Sequence, residues 1–188
     1  MSIHLVALGA NSGISRASNA RKVAQAASAL RSAFGGSVRL SSLYATPAWP
    51  PGIGPDFVNA AAVLSSALPP DAILRRLHGL EALHGRTRSK RWEARVLDLD
   101  LIGSGGCIRP DVVTLRHWID LPPADQAREV PPGLLLPHPR VQDRGFVLIP
   151  LAEVAPGWRH PLTGRTVAAM RDALPREARR GIRRLYPL

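Results

Sequence analysis

The run Leu97-Asp98-Leu99-Asp100-Leu101 alternates apolar and acidic residues with a period of two, the signature of a β-strand. A chain with such a strand must build a sheet that buries Leu97, Leu99 and Leu101 on one face. The other face then carries Asp98 and Asp100 side by side. Two aligned carboxylates repel each other, which makes a hard divalent cation their natural partner. Mg²⁺ suits the place because it takes one or two carboxylates and completes its shell with waters and phosphate oxygens. An ordinary exposed strand face, its acids paired to arginines, is the competing reading. Arg86, Arg88, Lys90, Arg91 and Arg95 stand within a dozen residues upstream. Cations for phosphate thus adjoin carboxylates for metal, the two halves of a phosphoryl-transfer site. No glycine-rich loop ending in Lys-Ser/Thr is present, so this is not a P-loop chain.

Composition narrows the class further. At 188 residues, with 45% apolar and 21% charged, the chain has the balance of one folded domain and not of a disordered segment. Lys plus Arg number 25 against 14 Asp plus Glu, a net charge of +11, and Lys22 and Lys90 are the only lysines. Such a charge attracts a nucleic acid, an acidic membrane or a nucleotide triphosphate. The single cysteine, Cys107, reads as a small half-buried residue; it cannot form an internal disulfide, and no Cys/His cluster has zinc spacing. A cytoplasmic protein is therefore expected. The N-terminus lacks a basic region before its apolar run, unlike a signal peptide, and no apolar run approaches the ~18 residues of a membrane span.

Along the chain, Ile3–Leu8 reads as a buried strand stopped by a turn at Gly9-Ala10-Asn11-Ser12-Gly13. Residues 17–34 read as a helix with Val23, Ala26, Ala27 and Leu30 on one face and a Gly35-Gly36 cap. Residues 38–45 alternate as a strand, and 46–56 form a proline-rich loop. A second strand follows at 57–64, making a long-looped antiparallel hairpin. Pro69-Pro70-Asp71 opens a helix that runs to a cap at Gly85. A basic stretch covers 86–95, and a strand is expected over 96–102. From 109 to 133 the periodicity fades, suggesting an insertion. A buried helix over 146–154, interrupted by Pro150, precedes a last helix near 166–173 and an arginine-rich tail over 171–188. His138, fixed between Pro137 and Pro139, stands close to Arg144 and Phe146, which offer a guanidinium and a ring. Taken alone, His138, Phe57 and Trp92 read as structural.

Read together and in order, these segments resemble the 6-hydroxymethyl-7,8-dihydropterin pyrophosphokinase family. The resemblance rests on Leu8-Gly9-Ala10-Asn11, Ser41-Ser42-Leu43-Tyr44-Ala45-Thr46-Pro47 and Pro55-Asp56-Phe57-Val58-Asn59-Ala60-Ala61. It continues through Leu80-Glu81, Gly85-Arg86-Thr87-Arg88, Arg91-Trp92, Arg95 to Asp100, Pro137-His138-Pro139 and Arg144-Gly145-Phe146. It implies an α+β, ferredoxin-like three-layer fold with a central, mainly antiparallel sheet flanked by helices, formed as one domain over 1–188. The basic loop before Trp92 is about one residue shorter than the family's usual one, and the 109–133 excursion is longer.

The implied reaction moves the β,γ-diphosphate of ATP onto the hydroxymethyl group of the pterin and releases AMP, a step of folate biosynthesis. Asp98 and Asp100 match the residues that hold two Mg²⁺ ions, with Arg86 and Arg95 beside them as catalytic residues. Thr46, Pro47, Phe57, Asn59, Trp92 and Phe146 match the pterin pocket. His78, Glu81, Arg88, Arg91, His138 and Arg144 match positions around ATP, with His78 standing where glutamine is common. The partners implied are these small molecules, with no nucleic acid and no membrane, and the chain is expected to be a monomer. The competing class is a basic ferredoxin-like RNA-binding module without catalysis. Such a module needs adjacent exposed aromatics on a sheet face, whereas aromatics here are 5% of residues and scattered. Seven basic residues against two acids over 75–95 suit a triphosphate pocket; the six arginines against two acids over 171–188 remain unassigned.

Overall fold

A computed structural model describes residues 1–13, 15–35, 38–47, 56–84, 96–122, 125 and 128–188. Strand β1 (Ser2–Ala10) leads to helix α1 (Arg16–Phe34), short strands β2 (Val38–Leu40) and β3 (Tyr44–Thr46), and the long strand β4 (Phe57–Ser66). Helix α2 (Pro70–Leu83) and strand β5 (Asp98–Ser104) follow. The rest of the chain forms α3 (Val112–Asp120), α4 (Gly145–Val154), α5 (Val167–Asp172), α6 (Arg176–Arg179) and a two-residue strand β6 (Arg183–Arg184). The sheet runs β5-β1-β4-β3-β6, with β2 also on β4, and every pairing is antiparallel. Counting β2 and β3 as one interrupted strand gives βαββαβ with the last strand beside the first. This is the expected ferredoxin-like α+β arrangement.

Strand alternation sorts the core into two layers. On one face Val6, Leu8, Ala10, Val58, Ala60, Ala62, Leu64, Leu99 and Leu101 pack against Ala20, Val23, Ala26, Ala27 and Leu30 of α1 and Ile73 and Leu77 of α2. Small residues on α1 let the helix lie close to the sheet, and its N-cap Ser15 accepts a hydrogen bond from the Ser18 N–H. On the other face Leu5, Ala61, Val63 and Ile102 meet Val147, Leu148, Leu151 and Ala152 of α4 and Val167 and Met170 of α5. Helix α4 covers only part of that face. The part it leaves is the part that carries the polar residues.

Several elements differ from the sequence expectation. The strand expected over 38–45 is two strands: the Ser41 N–H still donates to the Ala61 carbonyl of β4 at 2.9 Å, but its hydroxyl takes the place of its carbonyl in accepting from the Ala61 N–H at 2.8 Å, and the backbone leaves the ladder at Ser42–Leu43. Ser42 there turns to Glu153 of α4, which accepts from the Ser42 N–H at 3.0 Å and from its hydroxyl at 2.9 Å. Gly9 and Ala10, read as a turn, continue β1. The acidic strand begins at Asp98 and runs to Ser104, not 96–102. Ile102 shares the α4 side with Asp98 and Asp100, and the pairing with β1 shifts register between Leu5 and Val6, which sets Gly103 opposite Leu5. Helix α2 ends on a cap at His84; Gly85 lies outside the described residues. The 109–133 segment, read as losing periodicity, contains α3, capped by Asp111 accepting from the Thr114 N–H at 2.8 Å and anchored by Leu115 and Trp118.

Candidate active site

The register of the sheet places a polar row across four strands. Tyr44 of β3 pairs with Asn59 of β4, Asn59 with Gly9 of β1, and Gly9 with Asp98 of β5. Directly opposed residues point to the same face, so all four lie on the α4 side. One row further along, Asp100 pairs with Ala7, and Ala7 with Ala61. Asn59 and Asp98 are two strands apart, roughly 10 Å at the usual interstrand spacing. Gly9 forms the floor between them: a Cβ there would come within 2.7 Å of the Asn59 Oδ1. A glycine in a strand interior weakens the strand and marks a close approach.

At the β3 end of the row, the Asn59 Nδ2 donates to the Thr46 Oγ1 at 2.6 Å, and both side chains are buried. Phe57, opposite Thr46, is partly exposed, and Pro47 is exposed. The Asp56 carbonyl accepts from the Asn19 Nδ2 at 3.3 Å, while the Asn19 Oδ1 accepts from the Gly13 N–H at 2.7 Å. Buried Asn19 therefore ties the strand that delivers Phe57 and Asn59 to the segment that follows β1.

At the β5 end, Asp98 is buried at 7% exposure and Asp100 is partly buried. Glu81 of α2, only 2% exposed, accepts from the Leu99 N–H at 2.8 Å. This contact lies on the open edge of β5, between the two aspartates, and holds their backbone. His78, one turn earlier on α2, is exposed. His138 lies along the same edge, its N–H donating to the Ile102 carbonyl at 2.8 Å. The Arg140 N–H donates to the His138 Nδ1 at 3.0 Å, which puts the proton of the neutral ring on Nε2. Burial first, then the charge of Arg144, pushes this ring down to about 3, so it is neutral at physiological pH. The Arg144 Nη1 stands 3.3 Å from Nε2. Two N–H groups side by side suit an anionic oxygen better than each other. Arg144 also stacks over the ring of Phe146, 5.7 Å from its centroid, and Phe146 is 38% exposed at the start of α4.

Among the described residues no group of three or more His, Cys, Asp or Glu gathers as a metal cage. Asp98 and Asp100 supply two hard oxygen donors on one face, which fits an ion that draws its remaining ligands from water and phosphate, as Mg²⁺ does. Arg86, Arg88, Arg91, Trp92 and Arg95 lie outside the described residues. Of the remaining site residues read from the sequence, Thr46, Pro47, Phe57 and Asn59 fall at one end of the row and Asp98, Asp100, Glu81 and His138 at the other; Arg144 stands between His138 and the Phe146 ring, and His78 is exposed on α2.

A family model described as 7,8-dihydro-6-hydroxymethylpterin-pyrophosphokinase (HPPK) matches residues 5–156. The chain belongs to this family. Among HPPK relatives, the 2-amino-4-hydroxy-6-hydroxymethyldihydropteridine pyrophosphokinase of Synechocystis is 39% identical over 129 residues, which is 69% of this chain and 55% of the relative. The protein of the same name from Pseudomonas aeruginosa is 36% identical over 148 residues, 79% of this chain and 76% of the relative. The chain thus spans just over half of the first relative and three quarters of the second. A crystal structure of an HPPK-DHPS in complex with substrates shares the fold at a TM-score of 0.69 and 13% identity, covering all of this chain and 47% of the other. A Plasmodium falciparum HPPK-DHPS does so at 0.62 and 13%, covering 91% and 40%.

Residue-type reasoning missed two parts of this HPPK site. Gly9 was hidden because a glycine at a strand end reads as a turn, although its place between Asn59 and Asp98 needs a residue without a side chain. Asn19 was hidden because its two contacts, to Gly13 and Asp56, join segments 37 residues apart. A buried asparagine on the apolar face of a helix is the signal that would have found it.

Proposed function

We propose that this chain transfers the diphosphate of ATP to the hydroxymethyl group of 6-hydroxymethyl-7,8-dihydropterin, giving AMP and the pterin diphosphate in folate biosynthesis. The observation that carries the reading is the row Asn59, Gly9, Asp98, with Asp100 beside it: a heterocycle-sized floor between an amide and a pair of carboxylates. Asn59 reads the polar edge of the pterin, its amide oriented by Thr46. Phe57 and Phe146 hold the two faces of the ring, and Pro47 and Trp92 close the pocket.

On the far side of the carboxylates, His138 and Arg144 offer N–H groups to phosphate oxygens. His78, Glu81, Arg88 and Arg91 complete the nucleotide side, with Glu81 also setting the strand between the aspartates. Asp98 and Asp100 hold Mg²⁺, which when bound neutralises phosphate charge and makes the alcohol more acidic. The alcohol oxygen bonds to the β-phosphorus in line, the bond from that phosphorus to the AMP oxygen breaks, and the alcohol proton leaves to solvent. Arg86 and Arg95 stabilise the charge that develops on the leaving oxygen. The 188 residues act as one domain, as a monomer in the cytoplasm.

The RNA-binding alternative needs an open sheet face for stacking bases. Here helices pack on both faces of the sheet, and its polar row carries Asp98 and Asp100, which repel a polyanion. Incubation with ATP, Mg²⁺ and the dihydropterin alcohol is expected to yield AMP. ADP as the product, or no nucleotide conversion beside salt-sensitive RNA binding, would overturn the reading.

A further inference from the structure

The C-terminal segment lies beyond residue 156, where the family match ends, yet it contacts two of the segments that carry the proposed pterin pocket. Its strand β6 pairs with β3, Arg184 opposite Tyr44 and Arg183 opposite Ala45. The ladder extends as the Leu43 N–H donates to the Tyr186 carbonyl at 2.9 Å and the Leu185 N–H to the Leu43 carbonyl at 2.8 Å. Without β6, strand β3 would be a three-residue edge held from one side only.

Side chains lock the same joint. The Arg184 Nε donates to the Ser42 Oγ at 2.8 Å, and its Nη2 donates to the Glu153 Oε1 at 3.0 Å. Glu153, projecting from α4, also accepts from the Tyr44 hydroxyl at 2.9 Å. One carboxylate thereby joins β3, α4 and the tail. Gly181, at φ 74°, sits on Pro47, where a Cβ would come 2.6 Å from the proline Cγ. The Ala178 carbonyl lies against Gly145 so closely that a side chain there would overlap it. Gly145 immediately precedes Phe146, and Pro47 immediately follows Thr46.

We propose that residues 178–186 are a positioning strap for the pterin pocket: Gly181 seats Pro47, Ala178 seats the Gly145-Phe146 turn, and Arg184 with Glu153 locks the strand that ends at Thr46. Among the described residues, the contacts of Gly181 and Arg184 fall on Pro47, Ser42 and Glu153, away from Glu81 and His138 on the β5 edge, so the influence of these two residues falls on one substrate; Gly145, seated by Ala178, follows Arg144 of the nucleotide side. This inference rests on the assignment of Thr46, Pro47 and Phe146 to the pterin.

Steady-state kinetics on the full chain test it. Gly181→Val, which displaces Pro47, is expected to raise the pterin KM about tenfold and to leave the ATP KM within about twofold. Arg184→Gln, at a side chain 61% exposed, is expected to raise the pterin KM about threefold with the same selectivity. Arg171→Gln, in the same basic tail but with its side chain bonded to its neighbour Asp172, is expected to match wild type. A general loss of packing would lower the melting temperature and the amount of active enzyme without separating the two KM values. Should Gly181→Val not fold, Arg184→Gln decides alone. Active wild-type protein whose Arg184→Gln variant keeps its pterin KM, or raises both KM values together, would overturn the strap. Wild-type protein that forms no AMP would overturn the proposed reaction itself, and the strap with it.

Discussion

The two faces of the sheet use the same strands for different ends. Under α1 and α2, Val6, Leu8, Ala10, Val58, Ala60, Ala62, Leu64, Leu99 and Leu101 of β1, β4 and β5 form an apolar buried layer, with the hydrogen-bonded pair His4 and Ser104 at its far end. On the opposite face those strands bury Leu5, Ala61, Val63 and Ile102 beneath α4 and α5, then change to Gly9, Asn59, Asp98 and Asp100 where the helices stop. The difference teaches that stability and chemistry can be interleaved residue by residue. Leu99 packs on the core side, its own N–H is held by Glu81, and its two neighbours are the aspartates. Substitutions only one residue apart in sequence should therefore have unlike consequences.

The largest separation is expected at Asp100. Asp100→Asn keeps the shape but removes a charge proposed to hold metal, and AMP formation should fall about a thousandfold with an unchanged melting temperature. Near-normal turnover would remove the metal assignment. Leu99→Ala should do the reverse, costing about 2–5 kcal/mol in denaturant unfolding through the cavity it leaves, while the protein that remains folded keeps its substrate KM values. A small stability loss with abolished turnover would erase the contrast between the faces.

The site edge should also show itself in acid. The His138 ring is held at about 3, against 6.5 in the unfolded chain, so below about pH 6.5 the unfolded state takes up a proton that the folded state refuses. Stability should therefore fall as pH drops from 7 to 5, with His138 contributing about 1–2 kcal/mol of the loss. Buried His4 and His160, also pushed below 6.5 by burial, act in the same direction. Replacing His138 with Gln should flatten the slope, and an unchanged slope would show that this ring titrates freely. The smallest effect belongs to Tyr44, whose hydroxyl bonds Glu153 and is pushed up to about 12 by burial and by that carboxylate. Tyr44→Phe should cost about 0.5–1.5 kcal/mol, read as a small drop in melting temperature.

How much of this was legible in the sequence follows the distance over which each feature is determined. The aspartate pair was legible because a period of two is local and its consequence is geometric. Helices α1 and α2 were legible for the same reason, through apolar spacing and their opening residues. The break between β2 and β3 was not, because Ser42 leaves the ladder for Glu153, 111 residues away. Helix α3 carries its own signal, Asp111 capping Thr114 and then Leu115 and Trp118 one turn apart, but flanking prolines obscured it. The tail read as surplus arginine. A two-residue strand has no periodicity to detect, and its partner on β3 is about 140 residues upstream.

The central claim is that the polar half of one sheet face carries out diphosphate transfer. Phosphorus NMR of the full chain turning over ATP with the dihydropterin alcohol and Mg²⁺ reads it most directly. The account predicts that the β and γ resonances of ATP move together into a pterin diphosphate while the α resonance becomes AMP. Transfer of the γ-phosphorus alone, leaving ADP, or an unchanged ATP spectrum would contradict it.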